Sequence, residues 1–319
     1  KEWKKEDYPA LNADPQIRIL DESQTGERAA SKIEKVREIL EKKDIFYYFS
    51  ASLDDNMWLL NLRGNAIKYN PFCFSFVMIT QRGADAFLYL PSDKISIEES
   101  NKIKKYLREN KINIFLYQNF ERFLQNLPAN KKACFAFEKM PVKYAKILCE
   151  KKYDLINYDC NISLMKAIKN ETEIENIRKA YKKDNKAVCD FIRWINENDV
   201  TGMNEYDLST KLDEIRLSNP ECLDLSFDTI SASGANAAMM HYEAKRDNCS
   251  KILNDNLYLF DSGGQWIGGT TDITRTVAIG TPTYEMKHDY TKVARGMLAL
   301  LNASFIEGCT GINLDILAR

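Results

Sequence analysis

Histidine is scarce in this chain: only His241 and His288 occur among its 319 residues. A metal site with several histidine ligands cannot be built from these two side chains alone. The eight cysteines are unsuited to a metal as well, because they are widely separated and form no Cys-x-x-Cys pair. Such spacing is typical of reduced thiols in a cytoplasmic protein and argues against a cysteine-based zinc site.

The chain also lacks a large net charge of either sign, a long apolar run and a leader pattern. Its 45 Lys+Arg and 46 Asp+Glu residues give a formal net charge of -1, so no general attraction to nucleic acid or to an anionic membrane is expected. The longest uncharged apolar stretches, such as 71–80, are shorter than the roughly 20 residues that span a bilayer. No signal-peptide pattern is visible after Lys1, so none is expected within this sequence. We therefore expect a cytoplasmic protein with no nucleic-acid and no membrane partner.

The remaining composition, 45% hydrophobic and 29% charged, is that of a globular protein with a real core. At roughly 150 residues per domain the length corresponds to about two domains. Helical and strand-like patterns alternate in the first half, which predicts an α/β domain there. Helices are predicted over 28–43, 54–62, 97–110 and 141–150, and strands over 45–51, 72–80, 86–90, 112–117 and 133–137.

A domain boundary is expected near 166–170. Asn170 and Glu173 have the spacing of a capping box, and the apolar positions after them predict a long amphipathic helix that opens a second domain. A further helix is predicted to start near Asn313, and it would be unfinished where the sequence stops. We therefore expect the chain to be a portion of a longer polypeptide. The other elements predicted for this half are helices over 204–217 and 283–305 and strands over 225–232, 257–260 and 273–279.

The most informative segment runs from Leu257 to Thr276. Asp261 ends an apolar strand, Asp272 begins the next, and four glycines lie between them. Because glycines permit tight turns, the chain could return as a hairpin and bring the two carboxylates into one site. Two hard anionic oxygen donors suit Mn²⁺ or Mg²⁺. In the alternative interpretation, Asp261 caps a turn and Asp272 pairs with Arg275 on a surface hairpin.

The segment 257–279 resembles the metal-binding hairpin of the Xaa-Pro aminopeptidases, which belong to the creatinase/methionine aminopeptidase family with the pita-bread fold. The resemblance extends over nearly all of the chain. Its further matches are 228–231, 233–238, His241-Tyr242, 58–64 with Asn70-Pro71, and Trp3, Pro9 and Pro15.

The resemblance implies a fold and a division of the chain. The expected fold combines α/β and α+β parts, namely a creatinase-type N-terminal-like α/β domain followed by the first part of a pita-bread catalytic domain. Residues 1–24 would be a connector, 25–166 a creatinase-like middle α/β domain, and 167–319 an incomplete metallopeptidase domain. A homodimer is also expected from the family.

The resemblance further implies an activity and a site. Asp261 and Asp272 would be metal ligands, with Asp272 bridging two Mn²⁺ ions. His241 would contact the substrate, stabilising the reacting peptide group or moving a proton; the alternative is a structurally satisfied loop histidine. The expected reaction is hydrolysis of the bond between an N-terminal residue and a penultimate proline by a metal-bridging hydroxide.

One part of the family pattern is missing from the sequence. A histidine and two glutamates that complete the family's dinuclear centre are expected after Arg319. Two other functions stay open: a catalytically inactive pita-bread binding module, and a prolidase-like or creatinase-like enzyme of the same fold. Inactive members usually lose the metal carboxylates, so the presence of both Asp261 and Asp272 favours the enzyme.

Overall fold

A computed structural model of the chain describes residues 16–90 and 96–319. The described chain forms two compact units, and a short excursion from the later sequence belongs to the first of them. The first unit extends to Tyr181 and includes Gln265–Thr270, and the second comprises Lys182–Gly264 and Thr271–Arg319. Of the expected connector, Trp3, Pro9 and Pro15 lie outside the described residues.

The first unit alternates strands and helices, as its sequence pattern predicted. Its strands are β1 (Ile17–Ile19), β2 (Tyr47–Ser50), β3 (Leu62–Gly64), β4 (Ser75–Thr80), β5 (Ala84–Leu88), β6 (Ile112–Leu116), β7 (Lys132–Phe135) and β8 (Asp154–Asn157). Its helices are α1 (Glu22–Thr25), α2 (Ala29–Lys42), α3 (Leu53–Leu60), α4 (Ile97–Glu109), α5 (Phe120–Asn126), α6 (Val142–Glu150) and α7 (Ile162–Ala167).

Six strands of the first unit form one mixed sheet in the order β6-β5-β4-β2-β7-β8. The central strand β4 is antiparallel to both of its neighbours, whereas β5–β6, β2–β7 and β7–β8 are parallel pairs. Alternate residues of β4 enter different cores: Val77 and Ile79 join one apolar cluster, and Phe76 and Met78 join the other. Both faces of the sheet are therefore covered, which explains the nearly continuous apolar sequence of this strand.

The second half of the sequence begins with the long helix that the sequence predicted. Asn170 and Glu173 form the capping box: each side chain accepts a hydrogen bond of 2.9 Å from the other residue's backbone N–H. The helices are α8 (Glu171–Glu197), α9 (Glu205–Leu217), α10 (Tyr284–Leu301) and α11 (Gly311–Leu314). The strands are β9 (Cys222–Leu225), β10 (Ile230–Ser233), β11 (Asn256–Ser262), β12 (Gly264–Trp266), β13 (Gly269–Thr270) and β14 (Ile273–Ile279).

Strands β10, β11 and β14 form an antiparallel sheet with β11 in the centre. Alternate residues of β11 face the interior of the second unit, where Tyr258 and Phe260 are fully buried. The ring of Phe260 meets the ring of Phe191 of α8 edge to face, with centroids 5.2 Å apart. This packing fixes the sheet against the amphipathic helix.

The expectation of one strand over 225–232 is wrong. Between β9 and β10, the Ser226 N–H donates to the Gly263 carbonyl at 3.1 Å, and the Thr229 hydroxyl donates to Asp213 at 2.6 Å. The polar groups of Ser226 and Thr229 therefore have partners other than one continuous neighbouring strand. The predicted strand divides at this point into two short strands.

Six elements that precede α8 had no prediction: α1, α5, α7, β1, β3 and β8. They are three to seven residues long, and a short segment carries too few apolar positions to display a period. No helix within residues 16–90 and 96–319 combines the length and the apolar composition needed to cross a membrane.

Candidate metal centre

The two aspartates of the hairpin come together because β11 and β14 pair in antiparallel register. Asp261 is opposite Thr274, and Ser262 is opposite Ile273. Asp272 lies one position before β14 and is therefore next to the end of β11, where its carboxyl group is within hydrogen-bonding reach of that of Asp261. The structure thus places the two carboxylates side by side, in the arrangement that the glycine-rich spacing predicted.

Gly263 makes this close return of the chain possible. A Cβ atom at this position would lie 2.0 Å from the Thr271 carbonyl oxygen and 2.4 Å from the Ser226 hydroxyl, distances that no side chain tolerates. Gly264 and Thr271 close the neck with a backbone hydrogen bond of 3.0 Å and a 2.9 Å bond from the Gly264 N–H to the Thr271 hydroxyl. We call residues 263, 264 and 271 the hairpin neck.

The electrostatics of the two carboxylates are unfavourable without a cation. The Oδ1 atom of Asp261 is buried and has no hydrogen-bond partner, a condition that costs free energy in a folded protein. Partial desolvation, followed by the adjacent Asp261 carboxylate, raises the pKa of Asp272. Arg275 does not neutralise the pair, because its guanidinium donates at 2.7 Å to the Thr274 carbonyl.

These observations fit a divalent cation. Two neighbouring carboxylates supply hard oxygen donors, and a cation would satisfy the orphaned Asp261 oxygen and remove the repulsion between the carboxylates. Within the described ranges, no three His, Cys, Asp or Glu side chains gather in an arrangement that could hold a metal. Asp261 and Asp272 are accordingly two candidate ligands and not a full coordination shell.

His241, the third predicted site residue, is on an exposed loop that follows the short 3₁₀ helix Gly234–Ala238. Its backbone is left-handed, with φ of +59°, which is uncommon for a residue other than glycine. In the described part of the chain, no hydrogen bond or ion pair joins His241 to either aspartate. In the described residues, the structure therefore brings Asp261 and Asp272 together and joins His241 to neither of them by a hydrogen bond or an ion pair.

A buried ion pair supports the end of β11, and no sequence pattern indicated it. Arg216 of α9 and Asp184 of α8 are both completely buried, and the Arg216 Nε donates to Asp184 at 2.6 Å. The Nη2 atom of Arg216 donates at 2.9 Å to the hydroxyl of Ser262, the residue next to Asp261. The partners are 32 and 46 positions apart in sequence, so no local pattern could have revealed them.

Glu205 is a second buried charged residue that the sequence did not single out. It occupies the first turn of α9, where an acidic residue is ordinary because it complements the helix dipole. Its side chain is nevertheless completely buried and accepts hydrogen bonds from the loop that carries His241. Only its burial distinguishes it from a solvated helix-start glutamate.

Comparison with known protein families matches both parts of the chain. The Creatinase/Prolidase N-terminal domain family matches residues 7–173, more than half of the chain. The chain belongs to the creatinase/prolidase family. Metallopeptidase family M24 matches residues 175–319 of this creatinase/prolidase-family chain, so both candidate metal ligands lie in the part that resembles a metallopeptidase. The resemblance stated from the sequence is thus confirmed, as is the expected fold class.

Curated relatives of this creatinase/prolidase-family chain are named as Xaa-Pro aminopeptidases. It is 37% identical over 325 residues to a probable Xaa-Pro aminopeptidase P of Pyricularia oryzae, and the match covers 98% of this chain and 52% of that protein. It is 39% identical over 308 residues to a probable Xaa-Pro aminopeptidase P of Paracoccidioides brasiliensis, covering 92% and 49%. The chain spans about half the length of the curated relatives it matches.

Solved structures agree with this assignment. The X-prolyl aminopeptidase of Caenorhabditis elegans, described as a cytosolic enzyme with a di-nuclear active site, superposes with a TM-score of 0.85 at 29% identity, over 99% of this chain and 51% of that one. The Xaa-Pro dipeptidase of Bacillus anthracis superposes with a TM-score of 0.70 at 20% identity, over 91% and 76%. The second likeness supports the creatinase/prolidase fold alone.

Proposed function

We propose that this protein is a metal-dependent aminopeptidase that hydrolyses the bond between an N-terminal residue and a penultimate proline. The observation that carries the proposal is the Asp261–Asp272 pair: two carboxylates side by side, one with an orphaned oxygen, on a hairpin matched by a metallopeptidase family. Relatives named Xaa-Pro aminopeptidase P at 37% and 39% identity support the choice of substrate.

The proposal assigns a role to each segment of the sequence and to three residues of the candidate site. Residues 1–24 are proposed as a connector, 25–166 as the creatinase-like middle domain and 167–319 as part of the metallopeptidase domain. Asp261 and Asp272 are proposed as metal ligands, with Asp272 as the bridging carboxylate. We assign His241 to contact with the substrate.

A bound divalent cation supplies Lewis acidity, which polarises the scissile carbonyl and makes water nucleophilic near neutral pH. The carboxylates of Asp261 and Asp272 would hold the cation, and the close approach of Gly263 to Thr271 brings together the chain segments that carry them. The imidazole of His241 can donate a hydrogen bond to the reacting peptide group or transfer a proton near pH 7.

Proline defines the proposed specificity. Its ring fixes φ and removes the backbone N–H, so a site that hydrogen-bonds an ordinary amide cannot accept it in the same way. The substrates proposed here are accordingly peptides with proline in second position.

The proposal also names a metal, an oligomeric state and a cellular location, which do not follow from family membership alone. Mn²⁺ is proposed as the metal, with two ions per site, because carboxylate oxygens suit it and the similar nematode enzyme is described as di-nuclear. A cytoplasmic location and a homodimer are proposed with it. The nematode enzyme is described as cytosolic, and the widely spaced cysteines suit a reducing compartment.

Peptide cleavage by the full-length protein tests the proposal. The protein is dialysed against chelator, reloaded with Mn²⁺ and assayed on an Xaa-Pro-Xaa tripeptide, the matched Xaa-Ala-Xaa tripeptide and an Xaa-Pro dipeptide. We expect release of the first residue from the proline tripeptide alone and only after reloading.

The remaining outcomes separate the other candidates. Cleavage restricted to the dipeptide would identify a prolidase instead. Absence of both bound Mn²⁺ and cleavage would support an inactive binding module and refute the enzyme.

A further inference from the structure

Glu205 joins the two ends of the loop that carries His241. We call residues 234–250 the His241 loop. The N–H of Ser233, immediately before the loop, donates to Glu205 Oε1 at 2.7 Å, and the N–H of Ser250, at its end, donates to Oε2 at 2.8 Å. Both ends of the loop are therefore hydrogen-bonded to one carboxylate, which is completely buried in the second unit.

Two side chains inside the loop donate to the same carboxylate. The Tyr242 hydroxyl donates to Glu205 Oε2 at 2.6 Å, and Asn236 Nδ2 donates to Oε2 at 2.9 Å. Burial and this hydrogen bond raise the pKa of Tyr242, so the phenol keeps its proton and stays a donor. Asn236 also donates to the Tyr242 hydroxyl at 3.0 Å, which closes the network.

His241 depends on this network for its position. It is exposed, its φ of +59° is strained for a histidine, and in the described part of the chain it makes no hydrogen bond or ion pair of its own. Its neighbour Tyr242 is the nearest residue in sequence that is held by the network. A strained backbone persists only where its surroundings determine it, and here Glu205 supplies that constraint.

We propose that Glu205 is a positioning residue: it holds the His241 loop closed and so fixes where His241 meets the substrate. This inference rests on the proposed function for the role of His241, whereas the closure of the loop by Glu205 stands on the hydrogen bonds alone. Glu205 is proposed to act through the loop and not on the substrate itself.

A carboxylate is needed because every partner is a donor. Glu205 offers two oxygens that accept from two backbone N–H groups, an amide and a phenol. In a Glu205→Gln variant one oxygen becomes an NH₂ group, which cannot accept. Either orientation of the amide then opposes an NH₂ to the backbone N–H of Ser233 or Ser250, neither of which can reverse its polarity.

The experiment compares Glu205→Gln, His241→Ala and the double variant in the Mn²⁺-loaded full-length protein. Amide hydrogen exchange over 234–250 and kcat and KM on an Xaa-Pro-Xaa peptide are measured for each. Glu205→Gln should accelerate exchange in the loop and lower kcat about tenfold, with a smaller change in KM. In the His241→Ala background the same substitution should lower kcat less than about twofold, because the residue that it positions is gone.

Asn204→Ala is the matched control. Asn204 caps the same helix through the Asp207 N–H and donates nothing to Glu205, so its loss weakens α9 without opening the loop. Its loop exchange and kcat should equal those of the unsubstituted protein.

Each contrary result overturns a stated part of the inference. Unchanged loop exchange in Glu205→Gln would refute the closure. Faster exchange with unchanged kcat, or with losses that simply multiply in the double variant, would refute the positioning of His241. An unsubstituted protein that cleaves no Xaa-Pro peptide would refute the proposed function instead, and hydrogen exchange would still decide the closure.

Discussion

The chain has two pairs of close carboxylates, Asp54 with Asp55 in the first unit and Asp261 with Asp272 in the second. Lysine side chains form ion pairs with the first pair. The ammonium of Lys166 contacts both Asp54 and Asp55, and Lys139 donates to Asp55 at 2.8 Å. Burial opposes ionisation of Asp54, yet the hydrogen bonds from Lys166 and Ser52 outweigh it and lower its pKa to about 2.

The second pair has the opposite electrostatic character. The pKa of Asp272 is raised, and one Asp261 oxygen is buried without a donor. A protein that uses carboxylates for structure neutralises them with its own cations, as at Asp55. Carboxylates left in mutual repulsion are typical of functional sites, where a ligand supplies the missing charge. The contrast between the pairs therefore separates a structural cluster from a candidate binding site within one chain.

Removing one carboxylate from each pair should give the largest difference in activity. Asp272→Ala should lower Xaa-Pro-Xaa turnover by about a thousandfold or more and abolish Mn²⁺ loading, because a ligand is lost. Asp54→Asn is the matched control and should leave kcat and metal content unchanged. Steady-state kinetics and elemental analysis of the full-length variants measure both. Normal turnover in Asp272→Ala would refute its assignment as a ligand.

The free energy of unfolding should respond in the opposite way: loss of a carboxylate from the first pair should cost more than loss of one from the second. Asp55 is 1% exposed and holds two lysines, so Asp55→Ala leaves Lys139 and Lys166 without their buried partner and should cost about 3 kcal/mol in the free energy of unfolding. Asp272→Ala, measured without metal, removes a repulsion and should cost little. Urea unfolding compares the two variants. Equal losses would contradict the distinction between the pairs.

Added metal should stabilise the protein only where the second pair is intact. At an Mn²⁺ concentration of about 100 times its dissociation constant, binding to the native state alone stabilises by about 2.7 kcal/mol. The melting temperature of the unsubstituted protein and of Asp55→Ala should both rise with Mn²⁺, whereas that of Asp272→Ala should not. A rise in Asp272→Ala as large as in the unsubstituted protein would locate the metal elsewhere.

The smallest of the expected effects is the loss of the Asp54 ion pair's contribution to stability in acid. The pKa of Asp54 is lowered from 3.8 to about 2, so its ion pair stabilises fully above about pH 4 and the contribution is lost as pH falls through about 2. The Asp54 side chain is 44% exposed, so after allowance for solvent screening the contribution is at most about 1 kcal/mol. Asp54→Asn should flatten the stability profile between pH 4 and 2; an unaltered profile would show that the pair contributes nothing.

The sequence was sufficient to predict that Asp261 and Asp272 lie close together. It was insufficient to predict the lysines that contact Asp54 and Asp55. Asp261 and Asp272 are eleven positions apart on a glycine-rich hairpin, so local turn chemistry brought them together in the prediction. The lysines that neutralise Asp55 are 84 and 111 positions away, and only the assembled sheet and helices bring them near.

The same limit applies to the buried groups around the candidate site. Glu205 resembles any acidic residue at a helix start, and its donors at Ser233 and Ser250 are 28 and 45 positions away. The long elements α2, α4 and α8 were predictable because each carries several turns of amphipathic pattern. The break between β9 and β10 was not, because it depends on hydrogen bonds to distant Gly263 and Asp213.

The hairpin neck has a consequence for selection among cations. Since Gly263 lies against the Thr271 carbonyl, backbone contact and not side-chain adjustment sets the separation of the strands on which the two carboxylates are carried. Small ions such as Mg²⁺ require oxygen ligands at about 2.0–2.1 Å and larger ones such as Ca²⁺ at about 2.3–2.6 Å. The main chain at Gly263 thus constrains the strands that carry the proposed ligands, and we expect cations of different radius to bind with different affinity.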